Sequence, residues 1–131
     1  MTIQRFEDIV AWQKARALTK DVYASMRIGA FAKDYGLKDQ IQRASVSSMA
    51  NISEGFERGG DREFAQFLSN SKGSCGEVKS HLYVALDQNY ITSAGFDQLY
   101  GQADEVSRLI SGFMTYLRDS HVGGHKYKGR S

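Results

Sequence analysis

The stretch Leu37-Lys38-Asp39-Gln40-Ile41-Gln42-Arg43-Ala44-Ser45-Val46-Ser47-Ser48-Met49-Ala50-Asn51-Ile52-Ser53-Glu54-Gly55-Phe56-Glu57-Arg58-Gly59-Gly60 decides the fold. Within it Leu37, Ile41, Ala44, Ser48, Ile52 and Gly55 recur at three- and four-residue intervals, the period of one helical face. The paired glycines predict a stop near Glu57, since glycine takes the backbone shapes that end helices. Beyond them Phe64, Leu68, Ser71, Cys75, Val78, Leu82 and Ala85 repeat the spacing to about Gln88. Gly60 or Asp61 is the expected cap, and Glu63 sits where its charge favours the helix dipole. Two long helices joined at a glycine turn read as an antiparallel hairpin.

A polar stripe runs beside each apolar one. Gln40, Arg43, Ser47, Asn51, Glu54 and Arg58 lie within about 80° of one another on the first helix, and Glu63, Gln66, Asn70, Ser74, Glu77 and His81 form the counterpart. In a hairpin folded at Gly59-Gly60, residues at equal depth pair Arg43 with Glu77, Ser47 with Ser74, Asn51 with Asn70 and Glu54 with Gln66. The expectation is a polar seam of Arg43, Ser47, Asn51, Glu54, Asn70, Ser74 and Glu77 that sets register, with Arg43 and Glu77 as a partly buried ion pair. Two solvated faces are the alternative. Ser45, Ser47, Ser48, Ser53, Ser71 and Ser74, with Gly55, Gly73 and Gly76, are poor helix formers that suit a close approach of backbones.

Upstream, Ala11, Ala15, Leu18, Val22 and Met26 mark a helix between Asp8 and about Ile28, with Trp12, Thr19 and Tyr23 on an adjoining strip. Gly29 to Tyr35 interrupts the pattern. Downstream, a turn over Asn89 to Ser93 offers Thr92 or Ser93 as cap for a fourth helix carrying Phe96, Leu99, Ala103, Val106, Ile110, Phe113 and Leu117. Period-two stretches are missing, so the chain reads as all-α, an up-down-up-down antiparallel four-helix bundle over residues 1–119 with a flexible basic tail at 120–131. Counting Tyr100, Leu109 and Met114, the fourth helix is apolar around about half its circumference, more than one core requires. Self-association is the expected use of the surplus; scattered surface aromatics are the alternative.

With 131 residues, one domain is expected; 41% hydrophobic and 24% charged residues exclude a disordered or fibrous chain. Proline is absent, in keeping with long unbroken helices. No stretch reaches the ~20 apolar residues of a membrane span, and Met1 to Phe6 does not read as a secretory signal. A cytoplasmic location is expected, which the single Cys75 suits. The net charge of +2 divides into +3 on the tail and −1 on the remainder, 14 cations against 15 acids. Such a body is a weak signature of a nucleic-acid binder. The candidates for phosphate contact are Lys126, Lys128 and Arg130, with Arg62 and Lys72 behind them.

No catalytic constellation emerges. Gly73-Ser74-Cys75-Gly76 superficially matches a nucleophile turn but lies within a helix, where close packing explains it better. Glu77 and His81 occur once and at the wrong interval for a di-iron bundle. His121 and His125 lack further metal ligands, and Gly59-Gly60 follows no strand. No metal or cofactor is expected, and the chain reads as non-enzymatic, a hydrolase using Glu77 and His81 being the remaining alternative.

Several segments resemble the four-helix bundle proteins encoded within intervening sequences of bacterial 23S ribosomal RNA genes. The likeness rests on Val10-Ala11-Trp12-Gln13-Lys14-Ala15, Tyr35-Gly36-Leu37, Gln40-Ile41-Gln42-Arg43-Ala44, Asn51-Ile52-Ser53-Glu54-Gly55, Arg58, and Glu63-Phe64 followed by Gly73-Ser74 and Glu77. With Leu82 and Tyr90-Ile91 it covers about residues 6–117. Ala32 stands where a proline is usual, and Gly60 where a capping serine or threonine is usual. The resemblance implies a cytosolic bundle assembled as a homopentameric ring, in which Arg43, Asn51, Glu54, Arg58 and Glu77 define the fold. It brings in a relative, the accessory protein of diversity-generating retroelements, which binds nucleic acid and a reverse transcriptase. The function expected is a homo-oligomeric scaffold or adaptor presenting a repeated surface to a protein, RNA or DNA partner. A nucleic-acid-binding accessory factor of a mobile element or reverse transcriptase is the alternative.

Overall fold

Asp34 starts the decisive helix: its carboxylate accepts the Leu37 N–H at 3.0 Å, satisfying one of the amides a first helical turn leaves unpaired. In the computed structural model, which describes residues 3–119, this helix is α2, Tyr35–Arg58. It ends where Gly59 takes φ +85°, a left-handed shape that a side chain would strain. Gly60 returns to extended backbone, and α3 runs Asp61–Asp87 with Asp61 and Glu63 in its first turn. Gly60 precedes α3 as its capping residue, without a side-chain hydrogen bond.

The first helix, α1, is Val10–Ser25, shorter at both ends than the expected Asp8 to Ile28. Ile9 is extended, a 3-10 turn over Phe6–Asp8 precedes it, and the chain leaves helical geometry around Met26 before Gly29 at φ +69°. The interruption from Gly29 to Tyr35 holds a second 3-10 turn, Ala30–Lys33, whose Phe31 is fully buried and stacks on Tyr90 at 5.2 Å. Across the last turn Thr92 Oγ1 accepts the Gly95 N–H at 3.0 Å, and α4 runs Ser93–Asp119.

Among the described residues all regular structure is helical, and the helices form a closed square in which α1 and α3 each touch α2 and α4. Leu18, Val22, Ile41, Ile52, Phe56, Phe64, Leu68, Leu82 and Ile110 fill the centre with no measurable exposure beyond 1%. Each such side chain contributes ~1.5–3 kcal/mol through loss of contact with water. The α2–α3 pair is the tightest: a Cβ placed on Gly55 would stand 2.7 Å from the Phe67 Cβ and 2.8 Å from Phe64 Cδ1. Ser71 donates its hydroxyl to the Ser48 carbonyl across the same junction.

The surplus apolar arc of α4 is shared between two neighbours in the same chain. Tyr100, Leu109 and Met114 are half-buried against the core. The face α4 turns outward is instead Asp97, Gly101, Arg108 and Gly112.

Candidate functional site

Where the two polar stripes meet away from the turn, short side chains cross. Ser74 Oγ donates to Ser47 Oγ at 2.9 Å, and Asn51 Nδ2 donates to the same oxygen at 2.8 Å and to the Ser47 carbonyl at 2.9 Å. Longer side chains turn to their own helices, except that Arg58 at the turn also reaches α3. Gln66 donates to Asn70 Oδ1 at 3.2 Å, and Arg58 holds Glu54 at 2.9 Å and reaches Glu63 at 3.5 Å. The expected Arg43–Glu77 ion pair is not formed: Arg43 Nε contacts Asp39 at 2.9 Å, and the Arg43 side chain is 78% exposed. An i,i+4 carboxylate lies closer to a long cation than the facing helix does, and in water the shorter reach costs less side-chain entropy. Glu54 likewise takes Arg58 and not Gln66, and Asn51 and Asn70 do not bond each other.

Two concavities adjoin α1. A shallow hollow of mixed polarity and about 490 Å³ lies along α2, bordered by Tyr23, Asp39, Arg43, Val46, Asn51 and Glu54. An apolar groove of about 340 Å³ runs between the start of α1 and the last third of α4, lined by Ile9, Val10, Ala11, Arg108, Leu109, Gly112, Phe113 and Tyr116. Val10 and Tyr116 are 43% and 38% exposed there. Gly112 leaves the groove open, because a Cβ at that position would meet nothing within 4 Å.

At the end of the bundle that holds the α1–α2 and α3–α4 connections, Tyr90 donates its hydroxyl to Asp34 Oδ2 at 2.8 Å. The Leu37 amide and then this hydroxyl hold the Asp34 carboxyl below its ordinary value of 3.8, and the same carboxylate pushes the Tyr90 phenol up. Between α3 and α4, Lys79 reaches Asp104 at 2.8 Å and lies 5.1 Å from the Tyr100 ring centre. That hydrogen bond lowers the Asp104 pKa. Burial raises the Cys75 thiol to about 11, so it stays protonated and is a poor nucleophile at neutral pH.

The remaining predicted residues do not converge. Arg62 and Lys72 are exposed on α3, the former between Asp61 and Glu63 in sequence. Glu77 is exposed and His81 half-exposed, and neither borders the hollow or the groove. Lys126, Lys128 and Arg130, like the whole 120–131 tail with His121 and His125, lie outside the described residues. Among those described, no three His, Cys, Asp or Glu side chains group as a metal site, and no helix is long and apolar enough to cross a membrane. The groove itself was not expected from sequence. Its signals are Val10, off the inward stripe of α1, and Gly112, an exposed glycine inside a helix with no nearby atom to require it.

Residues 7–112 match the family model described as 23S rRNA-intervening sequence protein. No curated protein matches the chain. Among solved structures, a protein with unknown function from the S23 ribosomal protein family of Bacteroides thetaiotaomicron VPI-5482 shares the fold, with a TM-score of 0.73 at 19% identity. The alignment covers 79% of this chain and 97% of that one.

Proposed function

Since the chain belongs to the 23S rRNA-intervening sequence protein family, we propose that it serves as a non-enzymatic scaffold or adaptor that self-associates and presents one surface many times over to a partner. The observation that carries this reading is the α1–α4 groove. It is apolar, open at Gly112 and edged by the exposed Val10 and Tyr116, where a monomer gains nothing from leaving such side chains in water. A helix from a second copy laid on Gly112 buries that edge, and repetition of an unlike contact closes a ring. A homopentamer in the cytoplasm is the proposed assembly.

Multi-angle light scattering on the purified chain tests the proposal. A mass several times 14.6 kDa is expected, and Gly112→Trp, which adds bulk at a position where a Cβ meets nothing within 4 Å, is expected to lower it. A single-subunit mass at every concentration ends the reading. A nucleic-acid-binding accessory factor is the second reading, favoured by cations on α1 that have no acidic partner.

A further inference from the structure

The near-neutral body is neutral by cancellation. Residues 10–38 hold six cations, Lys14, Arg16, Lys20, Arg27, Lys33 and Lys38, against two acids, a net +4. Residues 39–119 hold seven cations against eleven acids, a net −4. Five of the seven cations in the acidic part, Arg43, Arg58, Lys79, Arg108 and Arg118, contact carboxylates. Among the described residues none of Arg16, Lys20, Arg27 and Lys33 lies in an ion pair, and all four are exposed.

Helical geometry gathers two of them. At 100° per residue Arg16 and Lys20 fall within about 40° of one another, opposite the inward stripe of Ala11, Ala15, Leu18 and Val22, and Arg27 follows two residues after α1 ends at Ser25. Ala17 and Ala24 beside them add no bulk. The only acid within α1, Asp21, accepts from Gln102 of α4 at 2.9 Å and so lies on the flank of α1 that meets α4. On the α2 side, Asp39 is engaged by Arg43. Like charges at Arg16 and Lys20 repel at i,i+4 spacing, and among the described residues no carboxylate pairs with either, Arg16 lying 5.9 Å from the centre of the Trp12 ring. The α1–α2 connection carries Lys33, and α2 opens with Tyr35, a ring 75% exposed with the Lys38 ammonium 5.6 Å from its centre.

We propose that the outer face of α1 with the α1–α2 loop is a binding site for a nucleic-acid strand, gripped by its phosphates at Arg16, Lys20, Arg27 and Lys33, with Tyr35 as a stacking surface for a base. From Arg16 to the end of α1 at Ser25 the helix rises ~14 Å at 1.5 Å per residue, the length of about four phosphates at ~3.4 Å each in a duplex strand. Exposed lysines and arginines beside an exposed aromatic suit a backbone-led grip without sequence readout. The inference rests on the adaptor reading for its biological use. It does not need self-association, since one copy carries the whole row, and the groove opens on the other flank of α1.

Fluorescence anisotropy with labelled single-stranded RNA, single-stranded DNA and duplex DNA, at salt from about 50 to 200 mM, tests the site. Three variants are compared with the wild type: R16Q/K20Q/R27Q, the tail variant K126Q/K128Q/R130Q, and R62Q/K72Q on the acidic part. Glutamine keeps helix propensity, and circular dichroism verifies that each variant is folded. The expected result is at least a tenfold weaker affinity for the α1 variant, with the slope of log Kd against log salt reduced by about 2 for three charges. Smaller losses are expected for the other two. The probe that binds tightest identifies the strand type. Wild-type protein that binds none of the three probes, an α1 variant that binds like wild type, or a tail variant that loses more than the α1 variant would overturn the proposal. So would a change of mass in the α1 variant, which marks this face as a contact between copies. A monomeric wild type that still binds through α1 removes the ring and leaves the site standing.

Discussion

Gly55 and Gly73 look alike in the sequence and differ in space. Alanine at Gly55 drives its Cβ into the Phe67 Cβ at 2.7 Å, and neither backbone can yield without parting α2 from α3. A Cβ at Gly73 meets nothing within 4 Å. Gly55→Ala is therefore expected to cost about 1–3 kcal/mol, the range of overpacked cores. Gly73→Ala is expected to gain ~0.5–1 kcal/mol from helix propensity alone. Thermal melts followed at 222 nm will show opposite signs. At Asp34 the effect is one of pH. Its folded-state pKa is lowered, so the stability it adds is complete above the ordinary carboxylate value of 3.8 and is lost as pH falls through the lower folded value. Asn caps a helix well but carries no charge. The stability gap between wild type and Asp34→Asn is thus expected to be widest near neutrality and to close with acid, which urea midpoints across pH will read.

Between helices, the hairpin register was legible because a glycine turn leaves residues of α2 and α3 little freedom to slide. The serine hydroxyls at 47 and 74 lie 2.9 Å apart at the depth that counting from Gly59-Gly60 gives. The partners of the long side chains were not legible. Counting places Cα atoms, and Arg43 reaches Asp39 on its own helix before it reaches Glu77. Double-mutant cycles will separate the two cases: a coupling near zero for Arg43 with Glu77, and about 0.5–1 kcal/mol for Ser47 with Ser74. The boundaries of α1 were missed for a related reason. Met26 and Phe31 are apolar and buried on either side of Gly29, so burial continues through a segment whose backbone has left the helix. The groove escaped notice because its walls come from Ile9–Ala11 and Arg108–Tyr116, about a hundred residues apart in sequence, and a helical period read along one segment cannot show a surface made by two.

Taken whole, the bundle carries two things a net charge of +2 conceals: a basic first helix and an acidic remainder. If copies clasp at the groove, folding and assembly are linked, and the melting temperature is expected to rise with protein concentration. A value constant over a hundredfold dilution range goes against assembly. The bundle also contains its own clock. Cys75 is wholly enclosed and its thiol stays protonated up to about pH 11, so an alkylating reagent must wait for the four helices to part. Its rate of labelling counts those partings one molecule at a time, and any ligand that holds the helices shut slows the count.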